Sequence, residues 1–201
     1  MMRASLLLLC ALVGLSACGH RPPDQVTDAC LILEDNRSWW RALQRTEQRW
    51  GIPPGVQMAI LRRESSFNAH ARPARNRLLG IIPTSRPSSA YGYAQALDGT
   101  WDWYRRDTGR RGADRDDFED AVDFIGWYSS KSRQLSGVEP HQARELYLTY
   151  HEGHGGYNRG TYRSKGWLMN AANSVARDAA SYQAQIDRCE RRLSRGRFWL
   201  L

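Results

Sequence analysis

Ile52-Pro53-Pro54-Gly55-Val56-Gln57-Met58-Ala59-Ile60-Leu61-Arg62-Arg63-Glu64-Ser65-Ser66-Phe67-Asn68 reads as a short apolar helix that ends on a carboxylate. Proline is tolerated in a first helical turn, where its missing N–H has no partner to lose, so Ile52-Pro53-Pro54 opens the helix. Val56, Ala59, Ile60 and Arg63 then follow at helical spacing up to Glu64. Glu64 falls in the last turn, where the helix dipole disfavours negative charge. Ile60, Leu61 and Phe67 are apolar neighbours able to desolvate it. Both effects favour the neutral acid and raise its pKa. Alone, a glutamate at a helix end is ordinarily a solvated surface residue, and a Glu-Ser pair carries no information.

Outward from this helix, nearly every periodic segment repeats as a helix. Asn36 to Trp50 puts Trp39, Leu43 and Trp50 on one side. Asp98 to Thr108 is a shorter Trp-rich helix. Asp116 to Leu135 aligns Phe118, Ala121, Val122, Ile125 and Tyr128, with Gly137 just beyond its end. Pro140 begins another helix that carries Leu146 and Tyr150 and stops at Gly153. The clearest pattern runs from Gly166 to Ser194: Leu168, Ala172, Val175, Ala179, Tyr182, Ile186, Cys189 and Leu193 alternate spacings of four and three. Its alanines suit close contact with helices of the same domain. No alternating strand run is present, and Ile81-Ile82-Pro83 allows at most a small hairpin within 72–90. The expected fold is therefore all-α, in a single domain.

The amino terminus reads as an address. Arg3 supplies the positive start, Leu6 to Val13 the apolar run, and Leu15-Ser16-Ala17 the small residues before Cys18. The run is shorter than the ~20 apolar residues needed to span a bilayer. Leu15-Ser16-Ala17-Cys18 resembles the lipobox of bacterial lipoproteins, which implies cleavage before Cys18 and lipidation of that cysteine. The alternative is an ordinary signal peptide with a chance cysteine. Gly19 resembles the pattern sorted to the outer membrane, so the expected location is periplasmic, anchored there by lipid. This divides the chain into a signal at 1–17, a lipidated tether at 18–35 whose Pro-containing part runs from His20 to about Asp28, and a globular domain at 36–201.

Removing 17 of 201 residues leaves 184, enough for one domain with a real core. Cys10 leaves with the signal and Cys18 is acylated, so Cys30 and Cys189 remain. In an oxidising compartment two thiols suggest a disulfide joining the ends of the domain, the alternative being two unrelated small apolar residues. The formal charge of +8 falls to +7 without Arg3, which suits an anionic surface such as cell wall. Export and the scattered arginines argue against nucleic acid as a partner.

Two later segments give Glu64 its context: Tyr91-Gly92-Tyr93-Ala94-Gln95 and Tyr147-Leu148-Thr149-Tyr150-His151-Glu152-Gly153. Together with Glu64-Ser65-Ser66-Phe67-Asn68 and in this order, they resemble the three motifs of soluble-lytic-transglycosylase (SLT) domains, in the lysozyme-like superfamily. The resemblance covers about Trp50 to Tyr162. It implies a lysozyme-like fold and Glu64 as sole acid/base, with Ser65 contacting substrate or positioning the reactive groups. It implies that Gln95 and the backbone around Tyr93 line the sugar groove, and that Tyr150 hydrogen-bonds near the catalytic carboxyl. The third motif departs from its usual Ala-Tyr-Asn-x-Gly form, with His151 in place of Asn and Glu152 after it.

The implied reaction cleaves the β-1,4 bond between N-acetylmuramic acid and N-acetylglucosamine without water. Glu64 protonates the glycosidic oxygen, then takes the proton of the muramoyl C6 hydroxyl as a 1,6-anhydro ring closes. One carboxyl suffices because the substrate supplies the nucleophile, unlike the paired carboxylates of most glycosidases. No metal or cofactor is required. A zinc site would need two histidines four apart on a helix, whereas His151 and His154 are three apart. Trp101, Trp103 and Tyr104 are candidates to line the groove or to pack the core. Arg72, Arg75, Arg77 and Arg86, in the long insert between the first two motifs, either meet wall anions or sit on a solvated loop. Glu152 is a candidate substrate contact; as a second carboxylate it would open hydrolysis, as in goose-type lysozymes. A third reading is a catalytically silent wall-binding lipoprotein.

Overall fold

The computed structural model describes residues 22–78 and 82–195, so Cys18, the signal segment and their cleavage lie outside the described residues. Among the described residues seven α-helices and a short 3₁₀ turn carry the fold: α1 (Ala29–Asp35), α2 (Arg37–Trp50), α3 (Pro54–Ser65), α4 (Asp98–Thr108), α5 (Phe118–Ser136), α6 (Ala143–Arg159), the turn Thr161–Ser164, and α7 (Gly166–Ser194). The all-α expectation holds. One small antiparallel ladder sits in the 72–90 segment, pairing Arg77–Leu78 with Ile82–Pro83. Among the described residues no helix is long and apolar enough to cross a membrane.

α3 lies at the centre. Every residue from Pro54 to Leu61 is buried, as suits a helix run apolar but for Gln57, whose Nε2 donates to Leu43 O and Ile52 O. It packs chiefly on α7, while α2 packs on α5, and α6 bridges α5 and α7. Gly55 sets how close α3 and α7 come: a Cβ there would lie 2.6 Å from the Ala179 carbonyl oxygen and 2.7 Å from the Gln183 nitrogen. The whole seam predicted on α7, from Leu168 to Leu193, is buried. Between α2, α4 and α5 the buried Asp123 carboxylate accepts from Trp50 Nε1 and the Tyr104 hydroxyl, each at 2.8 Å, and from Arg49 at 3.1 Å. A buried carboxylate is tolerable when so many donors replace its water.

One boundary differs from the sequence reading. The tether stops short of residue 35: Ala29–Asp35 is helical, with Ala29, Ile32 and Leu33 buried. Asp28 caps this helix by accepting from the Leu31 N–H. Cys30 is disulfide-bonded to Cys189, with Cα atoms 6.1 Å apart, so α1 is stapled to α7. At Gly153, the expected end of the helix that carries Tyr150, the helix is indeed interrupted. The backbone breaks there (φ 69°, ψ 158°) and the helix resumes to Arg159.

Candidate active site

The buried run of α3 meets the surface only at its last turn, where Glu64 and Ser65 are half-buried and Arg63 is exposed. Arg62 fastens this end to α7 through Asp178 at 3.0 Å. The chain then makes two left-handed residues in succession, Ser66 (φ 51°) and Phe67 (φ 61°). Among the described residues, the third non-glycine with positive φ is Gln95 (φ 49°). Such backbone costs about 1–3 kcal/mol per residue and clusters at functional sites. All three fall in the first two motifs, and the buried Phe67 ring anchors the first turn in the core.

Protein around the Glu64 carboxyl desolvates it and pushes its pKa up to about 7, against an ordinary 4.5. A hydrogen bond from Tyr147 and the charge of Arg63 act the other way, favouring the carboxylate, but burial outweighs them. Near neutrality the group therefore exists both as acid and as base, which suits a residue that gives and then takes a proton. Burial also raises the Tyr147 phenol to about 12, so it remains a hydrogen-bond donor.

The second motif is bolted to the segment that follows Glu64. Gln95 Nε2 donates to Ala71 O at 2.8 Å and Gly92 O at 2.9 Å, and the Gly92 N–H donates to Ala71 O at 3.1 Å. Gly92 must be glycine, because its φ is 78° and a Cβ would lie 2.0 Å from the Arg115 carbonyl oxygen. The third motif joins the other two through Tyr150, whose hydroxyl donates to Ala94 O. The charge of Glu64 is close enough to raise the Tyr150 pKa further, beyond the effect of burial. Glu64, the Gly92–Gln95 turn and Tyr147/Tyr150 thus share one locality.

The other candidate side chains divide between the site and the core. The phenol bonded to Glu64 is Tyr147, whereas Tyr150 bonds the second motif. A pair of tyrosines three apart on one helix face was the available signal. Tyr93 is 1% exposed and packs edge-on against Trp39 and Phe118, so only its backbone can face a ligand. Trp101 and Tyr104 are core residues as well, while Trp103 is half-buried, edge-on to Trp127. Ser65 Oγ donates back to Leu61 O at 3.2 Å within its own helix.

Glu152 is neither a free base nor a free contact. Its side chain is 4% exposed, Lys165 Nζ donates to both oxygens at 2.7 and 2.9 Å, and Thr161 donates to one. These bonds, that of Lys165 foremost, hold its pKa down to about 2. Of the loop arginines, Arg72 stacks over Tyr91 at 4.2 Å and Arg86 bonds Pro73 O; the Arg77 side chain lies outside the described set. His151 and His154 have different partners: His154 Nε2 lies 3.2 Å from Ser132 Oγ, and its ring stacks on Tyr128 at 4.6 Å.

No curated protein matches this chain. The family model described as "Transglycosylase SLT domain" matches residues 6–189. That match spans most of the chain, including all three motif segments gathered around Glu64. The chain therefore belongs to the transglycosylase SLT domain family, a membership that points to lytic transglycosylase activity on peptidoglycan.

Proposed function

We propose that this protein cleaves the MurNAc-β-1,4-GlcNAc bond of peptidoglycan with formation of 1,6-anhydro-MurNAc, using Glu64 as its single acid/base. The observation that carries this reading is a carboxyl at the end of a buried helix, desolvated to a pKa of about 7 and hydrogen-bonded by Tyr147. As the acid, Glu64 protonates the glycosidic oxygen while the C1–O bond breaks. As the carboxylate, it accepts the C6 hydroxyl proton while that oxygen bonds to C1. Tyr147 stabilises the carboxylate stage, and Gln95 and the backbone from Gly92 to Ala94 flank the sugar.

Ring closure is favoured over hydrolysis because the second carboxylate of the third motif is held by Lys165 and Thr161 with a pKa of about 2, too weak a base to activate water. On purified sacculi, Glu64→Gln should lose about 10²–10⁴-fold or more in turnover while wall binding is retained. Mass spectrometry of the wild-type digest should give anhydro-muropeptides. Equal turnover by the variant removes Glu64 from the mechanism, and products one water heavier identify a hydrolase.

We further propose that the protein is a periplasmic lipoprotein anchored to the outer membrane through Cys18. The pattern Leu15-Ser16-Ala17-Cys18-Gly19 supports this, and the Cys30–Cys189 bond suits an oxidising compartment. Intact mass should show a mature chain beginning at acylated Cys18; an unmodified cysteine, or a retained signal, sinks this assignment.

A further inference from the structure

Trp167 is the one aromatic among the large apolar side chains exposed in the described residues, and at 57% it is more exposed than Leu31, Leu97 or Leu135. It stands in the first turn of α7 and contributes little to the core. Its ring meets the exposed His151 ring edge-on, with centroids 5.0 Å apart. His151 lies four residues after Tyr147, ahead of the break at Gly153. It therefore shares the helix face that carries the phenol bonded to Glu64, about 5–6 Å further along.

The corner that presents Trp167 is clamped. Glu152 accepts from Thr161 in the 3₁₀ turn and from Lys165, two residues before Trp167. Tyr162 of the same turn stacks on Tyr157 of α6 at 5.2 Å. An ion pair with one partner this buried, placed at a bend rather than in the core, fixes where the next residues go. His151 also stands where the third motif usually has Asn, and Glu152 follows it at the motif's variable position.

The geometry points to a saccharide platform formed by Trp167 and His151, an additional subsite for an N-acetylhexosamine unit of the glycan strand, with Glu152 as its positioning residue. This rests on the reading of the protein as a peptidoglycan lytic transglycosylase. A flat indole matches the C–H face of a pyranose while its N–H bonds a hydroxyl, and His151 Nε2 supplies a further polar contact, its Nδ1 lying 3.3 Å from Glu152 Oε1. Continuity with the Glu64–Tyr147 face makes a glycan strand the occupant, since a polymer held at the catalytic carboxyl must run on across a neighbouring surface.

The test is calorimetric titration of a β-1,4-linked N-acetylglucosamine hexamer into the mature protein carrying Glu64→Gln. Adding Trp167→Ala should weaken binding about tenfold, and Trp167→Phe, which keeps a flat ring, should restore most of it. In the active enzyme Trp167→Ala should raise KM on sacculi more than it lowers kcat. Glu152→Gln should act in the same direction, as expected of a positioning residue. Unchanged hexamer affinity in both Trp167 variants overturns the platform, even where Glu64→Gln abolishes turnover. If Glu64→Gln leaves turnover intact, the catalytic reading falls, while the titration still decides Trp167 on its own.

Discussion

Glu64 is governed by a contest between desolvation, which keeps it protonated, and two groups that favour its charge. In the proposed mechanism the acid form acts first, so the balance near pH 7 predicts that kcat/KM falls as pH rises through about 7. Tyr147→Phe removes a hydrogen bond that favours the carboxylate, so the alkaline limb of the pH profile should move up by about one pH unit while turnover drops. A limb that stays in place, or moves down, shows that the phenol does not act on the carboxyl. The same shift has a stability consequence. The folded value lies above the ordinary 4.5, so folding is disfavoured once the group must ionise. That cost is absent below pH 4.5 and complete above about 7. Replacing Glu64 by Gln should therefore raise Tm more at pH 8 than at pH 5.

At the scale of elements, α3 delivers Glu64 because α7 lies against it with no room for a side chain at position 55. Gly55→Ala puts a methyl group 2.6 Å from backbone that cannot easily yield. It should cost about 2–3 kcal/mol, read by urea unfolding at constant m-value. Wild-type stability in this variant means that the two helices are not in such close contact. The break at Gly153 matters for another reason. It ends the straight part of α6 just after Glu152 and lets the remaining helical residues, 154–159, turn away toward the 3₁₀ turn. One element therefore contributes both the Glu64 partner and the Trp167 corner.

For the whole molecule, the Cys30–Cys189 bond closes a sequence separation of 159 residues. Chain entropy assigns such a loop up to ~5 kcal/mol. Cys30→Ser should lower Tm under oxidising conditions and change nothing when the wild type is reduced; equal Tm in both conditions removes the staple from the stability of the fold. Helix periods, the α7 seam and the position of Glu64 in the last turn of α3 were all legible along the chain, because each depends on residues three or four apart. The order of the three motifs carried the family for a similar reason: it is a linear pattern. What linear spacing does not contain is direction across space. Whether Tyr147 or Tyr150 meets Glu64, whether Tyr93 points into the core, and whether Glu152 is a base or a clamp all depend on which helix lies opposite. Those outcomes were decided only when burial fixed the packing of α3, α6 and α7, since desolvation and hydrogen bonding act between neighbours in space, whatever their separation in sequence.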